Sequence, residues 1–207
     1  MAKIKKSDFD FNLGRKAGKH TFATDHMDRL FPSNIDRGYF GSWLSGFVDG
    51  EGCFRLSVSC GYNRFRACTS FQINLRADDV EALFLIQSYW QCGYVTHKKK
   101  GKLGEDTCFF HVDRKQDLVE TVIPHFEKYP LLAKKKNDFS IWCQGVNLCV
   151  GVMKRPRLHR GGFKGGRLPA WNKEDVLEFE MLVAQMEDER KYRLPTVFMV
   201  SSSHYAQ

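Results

Sequence analysis

Across Asp49-Gly50-Glu51-Gly52 the hydrophobic pattern of the chain changes period, and this switch restricts the fold more than any other feature. From Gly38 to Val48 the apolar positions recur at helical spacing. From Cys53 to Cys60 they alternate strictly, with Phe54, Leu56, Val58 and Cys60 on one face and Arg55, Ser57 and Ser59 on the other. A helix therefore runs into a half-buried strand through an acidic turn, where two glycines permit a sharp change of direction. Gly41 and Ser45, and likewise Ser42 and Gly46, stand four apart in the helical part. One side of that helix lacks bulk and allows another backbone to approach closely, although the same spacing also packs helices within a single core.

The rest of the chain extends the pattern. After the turn Gly61-Tyr62-Asn63, residues 64–76 alternate again: Phe65, Ala67, Phe71, Ile73 and Leu75 oppose Arg66, Ser70, Gln72, Asn74 and Arg76. Asp78 is placed to cap a helix from Asp79 to about Trp90, with Val80, Leu83, Phe84 and Gln87 on one side and Cys92-Gly93 as its end. Residues 94–100 and 106–113 read as a second hairpin, joined by Gly101-Lys102-Leu103-Gly104. Residues 114–126 and 134–152 read as helices on either side of Tyr129-Pro130. The basic, glycine-rich stretch 154–167 contains no acidic residue, and a last helix follows Asn172, with Val176, Leu177, Glu180, Val183 and Ala184 on its partly apolar side. The expected class is α+β, and the expected division is a basic arm over 1–34, a core over 35–153, and a basic linker with a C-terminal helix over 154–207.

Helices can cover only the apolar face of such a sheet, so the polar faces of the four strands meet solvent or a ligand. Lys and Arg number 32 against 24 Asp and Glu in 207 residues, a formal charge of +8, which favours a polyanionic partner over a basic or neutral one. Arg55, Ser57, Ser59, Arg64, Arg66, Ser70, Gln72, Asn74, Arg76, Thr96 and His111 are side chains able to bond base edges in a major groove. Lys98, Lys99, Lys100 and Lys102 add phosphate contacts. A polar sheet face also occurs in proteins that bind nothing, and the arm over 1–34 reads equally as a strand-tracking segment or a solvated tail.

Other classes are disfavoured. The seven cysteines are odd in number and include no C-x-x-C pair, so neither a disulfide framework nor a zinc ribbon is indicated. The histidines (His20, His26, His97, His111, His125, His159, His204) lack metal-ligand spacing. No apolar run approaches the roughly 18 residues that span a bilayer, and Met-Ala-Lys-Ile-Lys-Lys leads into no signal core. A bacterial cytoplasm or an organellar interior is the expected location, with no membrane partner.

The segment Leu44-Ser45-Gly46-Phe47-Val48-Asp49-Gly50-Glu51-Gly52 resembles the LAGLIDADG signature of homing endonucleases, position for position, with Ser45 for Ala and Glu51 for the second Asp. Phe71-Gln72-Ile73-Asn74-Leu75, Gly93-Tyr94-Val95 and Tyr129-Pro130-Leu131-Leu132-Ala133-Lys134-Lys135-Lys136 are similar to further pieces of single-motif members, so the likeness covers about residues 38–150. The resemblance implies an αββαββα core whose antiparallel sheet forms a DNA saddle. It makes Glu51 the metal ligand with the Gly50 carbonyl beside it, gives Asp49 a part in the helix end, and places a basic residue at Lys134 or Lys136. It also implies contact between two copies through Gly41, Ser42, Ser45, Gly46 and Asp49. Members with a Gln and an Arg after the second strand have Leu75 and Asp79 as their nearest counterparts here, leaving Gln72, Asn74 or Arg76 as substitutes.

One motif in the chain supplies one such carboxylate, so cutting both strands calls for a homodimer on a pseudo-palindromic site. The implied function is site-specific double-strand cleavage of duplex DNA with magnesium, or manganese in its place. Glu51, Gln72, Lys134 and Lys136 are the expected catalytic group. The alternative is a non-cutting relative, an intron-splicing maturase with RNA as partner or a DNA-binding regulator.

Overall fold

The computed structural model describes residues 31–61, 64–99, 104–155 and 171–191. Most of the basic arm, the turn at 62–63, Lys100, Lys102, the linker residues 156–167 and the side chain of Arg64 lie outside the described residues.

Helix α1 (Arg37–Glu51) starts at Asp36, whose side chain accepts the Tyr39 amide N–H at 2.7 Å. Four glycines (Gly38, Gly41, Gly46 and Gly50) weaken its intrinsic preference, and burial of Phe40, Leu44 and Val48 along one stripe offsets that loss. The helix does not stop at Asp49, as the glycines suggested. It runs through Glu51, and Gly52 passes directly into β1 (Gly52–Gly61) while donating its N–H to the Val48 carbonyl. Gly52 is needed for space rather than for an unusual backbone angle: a Cβ there would sit 2.5 Å from Val48 Cγ1 and 2.9 Å from Val48 O.

Strand β2 (Arg64–Arg76) pairs with β1, then a short turn of Ala77–Asp79 leads to α2 (Val80–Trp90). The Asp78 carboxylate pairs with Arg76 instead of capping α2. Gln91 takes the left-handed conformation (φ 54°) that ends α2, one residue before the expected pair, and Gly93 follows at φ 77°. A Cβ at Gly93 would lie 2.6 Å from the His111 carbonyl oxygen, so this position is closed to larger residues on both grounds.

Strands β3 (Tyr94–Lys98) and β4 (Thr107–Val112) complete one antiparallel sheet in the order β1-β2-β4-β3. Helix α3 comprises Lys115–Asp117, a π-helical turn Leu118–Val122 and Ile123–Lys128. The widened turn lies just ahead of Pro124, which lacks an N–H and crowds the carbonyl four residues earlier. Helix α4 (Lys135–Lys154) crosses beneath the β1–β2 hairpin, where fully buried Trp142 donates its indole N–H to the Ser70 carbonyl at 3.1 Å. Phe54, Phe71, Ile73, Val95, Phe110 and Val112 point from the sheet into the core that these helices close.

Helix α5 (Lys173–Glu189) carries an Asn172–Asp175 capping box, and Asp175 is buried in a pair with Arg155. Its buried face is Phe179, Leu182 and Met186, which join the same core. Leu177 is exposed, so the apolar side expected from the sequence is rotated from the real one. Phe179, with Trp171, packs on Phe65 of β2, and a partner rich in aromatics selects the face. Among the described residues no helix is long and apolar enough to cross a membrane, and Cys53, Cys68, Cys92, Cys108, Cys143 and Cys149 are free thiols.

Candidate active site

The end of α1 is built by three intrachain ties. Asp49 turns inward: its Oδ2 accepts the amide N–H groups of Leu132 (2.9 Å) and Ala133 (3.1 Å), while buried Oδ1 has no partner among the described residues. Ser45 donates its hydroxyl to the Tyr129 carbonyl at 2.6 Å. These bonds hold the 129–134 loop, and with it the start of α4, against the last turns of α1.

Lys135 is the third tie. Its Nζ donates to the Gly50 carbonyl at 3.2 Å and the Gly52 carbonyl at 2.6 Å, bridging the helix end and the first residue of β1. Burial lowers its pKa, opposed by Cys53, Asp138, Asp49 and Glu51, the acidic groups around it. An ammonium has three N–H donors, so one remains for a further acceptor. Lys134, by contrast, reaches the Lys191 carbonyl at 3.3 Å, and Lys136 is exposed. Among three successive lysines the phase of α4 chooses the one at the site, and that phase depends on where the helix begins. Glu51 is exposed at the end of α1, and no described residue takes its carboxylate in a hydrogen bond or ion pair.

The small residues of α1 divide between two faces. A Cβ at Gly41 would lie 2.5 Å from the Tyr129 ring, so Gly41 and Ser45 serve packing within the chain rather than an outer surface, as does Asp49. Ser42 and Gly46 are exposed, and among the described residues a Cβ at Gly46 or Gly50 would meet nothing within 4 Å. The open stripe is thus Ser42-Gly46-Gly50, flanked by exposed Tyr39 and Trp43.

Beside this helix end lies the polar sheet face. Cys53, Gln72, His111 and Tyr94 are in register across all four strands, followed by Asn74, Phe109 and Thr96 and then Arg76, Thr107 and Lys98. Arg55, Ser59, Arg66, Asn74, Arg76, Lys98 and Lys99 are exposed, and Ser57, Gln72, Thr96 and His111 are half-buried. Several of the expected reading groups have partners within the chain. Ser70 is buried, with its hydroxyl accepting from Gln72 Nε2 at 3.3 Å. Arg76 pairs with Asp78 and Glu105, which hold its pKa above the ordinary arginine value. His111 bonds Thr96 Oγ1 at 3.1 Å, and burial pushes its pKa down, which favours the neutral ring.

The family model for the LAGLIDADG endonuclease matches residues 44–146, the stretch that runs from α1 through the sheet to Lys135 and the middle of α4. The chain belongs to the LAGLIDADG endonuclease family. It is 35% identical over 110 residues to "Probable intron-encoded endonuclease 3" of Neurospora crassa, covering 51% of this chain and 20% of that one. It is 32% identical over 136 residues to "Probable intron-encoded endonuclease aI3" of Dictyostelium discoideum, covering 65% of this chain and 50% of that one. The chain therefore spans at most half the length of these relatives. In fold it is similar to the I-SmaMI LAGLIDADG homing endonuclease bound to cleaved DNA (TM-score 0.58, 23% identity, 73% of this chain and 45% of that one). It is also similar to the homing endonuclease I-TnaI (TM-score 0.53, 21% identity, 72% of this chain and 94% of that one). Within the LAGLIDADG segment of this chain, Leu44 and Val48 enter the core, Ser45 and Asp49 anchor the 129–134 loop, Gly46 and Gly50 stay open, and Glu51 faces out.

Proposed function

We propose that this chain is a site-specific DNA endonuclease that cuts both strands of a long, near-palindromic duplex target, with two copies joined through α1. The observation that carries the reading is the joint placement of Glu51, whose carboxylate no described residue engages, and a half-buried lysine, Lys135, at the end of a helix whose neighbouring stripe is open among the described residues. The polar sheet face begins two residues later, at Cys53, so a duplex lying on that face brings its backbone beside Glu51.

Among the described residues no group of three or more His, Cys, Asp or Glu side chains is placed to hold a metal ion. What the chain offers is a carboxylate and a main-chain carbonyl, Glu51 and Gly50, which are hard oxygen donors suited to magnesium or manganese. Phosphate oxygens and water, and in a dimer the second copy's carboxylate, would complete such a set. One I-SmaMI structure is described as bound to uncleaved DNA in the presence of calcium ions, which agrees with an oxygen-ligated divalent cation. Such a cation, when bound, offsets charge that builds on the phosphate and acidifies its water. Lys135 keeps the Gly50 and Gly52 carbonyls in place and has one donor left over, which in this reading stabilises negative charge on phosphate. Arg55, Arg66 and Asn74 bond base edges, while Lys98 and Lys99 hold phosphates and set register.

The open stripe takes a second copy in this reading, because Ser42, Gly46 and Gly50 allow two helix backbones to meet and bring two carboxylates near a twofold axis. Selection of cleaved molecules from a randomised duplex library, with and without magnesium, tests the proposal. Recovery of one pseudo-palindromic sequence only with the metal supports it. No enrichment under either condition overturns it.

A further inference from the structure

We propose that Arg190, beyond the stretch matched by the family model, is a positioning residue that locks the first turn of α4 to the outer edge of β1 and so sets Lys135 against the helix end. Among the described residues strand β1 is the edge of the sheet, so its outward carbonyls have no strand partner there. Two cations cover alternate carbonyls along that edge. Lys135 takes Gly52 O at 2.6 Å, and the Arg190 guanidinium takes Phe54 O. The same guanidinium donates from Nε to Asp138 Oδ2 at 2.9 Å, one turn after Lys135 on α4. The Asp138 carboxylate is largely buried, at 14% exposure, so this ion pair is shielded more than a surface pair.

Neighbouring contacts repeat the junction. Asn137 donates to Glu189 at 3.2 Å, and Lys134 reaches the Lys191 carbonyl at 3.3 Å, so three residues at the start of α4 bond three successive residues at the end of α5. The far end of α5 is fixed independently by its capping box and by the Arg155–Asp175 pair, and its middle is fixed by Phe179, Leu182 and Met186 in the core. Arg190 is therefore presented from a rigid support. Its planar fork meets a carboxylate and a carbonyl on two different elements, a geometry an ammonium cannot copy in full.

The effect on cutting rests on the nuclease reading; the clamp itself does not. The test compares the full chain with Arg190→Met, Arg190→Lys, Asp138→Asn and the Arg190→Met/Asp138→Asn pair. Hydrogen exchange, measured without DNA or metal, is expected to rise about tenfold in Arg190→Met at residues 52–56 and 134–140, with α2 unchanged. Single-turnover cleavage is expected to fall about tenfold while DNA affinity changes by less than about twofold. Arg190→Lys recovers part of both, and the double variant is no worse than Arg190→Met. Unchanged exchange at both segments, a rise spread equally over α2, or increased exchange with an unaltered cleavage rate would each overturn the proposal. If the unaltered chain cuts no DNA, the nuclease reading fails while the exchange measurements still decide the clamp.

Discussion

The Asp49 carboxylate accepts the Leu132 amide N–H at 2.9 Å across 83 positions of chain, and this bond joins the acidic helix end to the loop that delivers Lys135. The same oxygen takes the Ala133 N–H. Hydrogen bonds to a charged group contribute about 1.5–3 kcal/mol each where they are shielded. Asp49→Ala should lower unfolding free energy by about 2–3 kcal/mol in urea titration. Asp49→Asn keeps one acceptor oxygen and should lose less. Equal stability in both variants would show that the loop is held by other contacts.

The two small-residue faces of α1 make opposite demands. Gly41→Ala pushes a methyl into the Tyr129 ring and should destabilise the isolated chain by about 1–3 kcal/mol. Gly46→Ala meets nothing within 4 Å, so the isolated chain should keep or slightly gain stability through better helix propensity. Its effect should fall on self-association instead. Sedimentation on the DNA target should show weakened pairing for Gly46→Ala, and denaturant unfolding should show the loss for Gly41→Ala alone.

Much of this architecture is legible in the residues because the period of the apolar pattern changes at Gly52 and again near Ala77. Phe54 and Leu56, then Phe71 and Ile73, mark the inward face without any knowledge of partners. What is hidden depends on helix phase and on distant contacts. The choice of Lys135 over Lys134 and Lys136 follows from the start of α4. The division of Gly41 from Gly46 follows from Tyr129, which lies 88 positions away from the first. Ser70 alternates as a solvent-facing residue yet is buried, and Arg76 is captured by Asp78 and Glu105. Alternation assigns a face to a side chain; it does not reveal what else occupies that face.

His125 gives the fold a pH dependence. It is buried among Tyr89, Trp90, Phe126 and Tyr129, its Nε2 has no partner among the described residues, and burial together with Lys128 lowers its pKa from 6.5 to about 4. The unfolded chain binds this proton below about pH 6.5 whereas the folded chain resists it, so stability is intact above that pH and is lost as pH falls towards 4. The full shift corresponds to about 3 kcal/mol. Thermal unfolding should show a falling midpoint across this window, and His125→Phe should flatten that part of the profile. An identical slope in the variant would remove His125 as its source.

The most direct measurement pairs cutting with binding in Glu51→Gln, which keeps the side chain's size and removes its charge. On the selected duplex with magnesium, single-turnover cleavage should fall by about 1,000-fold or more, consistent with loss of a group that acts on the developing charge. Affinity for the same duplex should stay within about threefold, because the sheet face supplies the contacts that carry binding. Cleavage by Glu51→Gln at the rate of the unaltered chain would contradict the account, since it would take the α1 carboxylate out of the reaction.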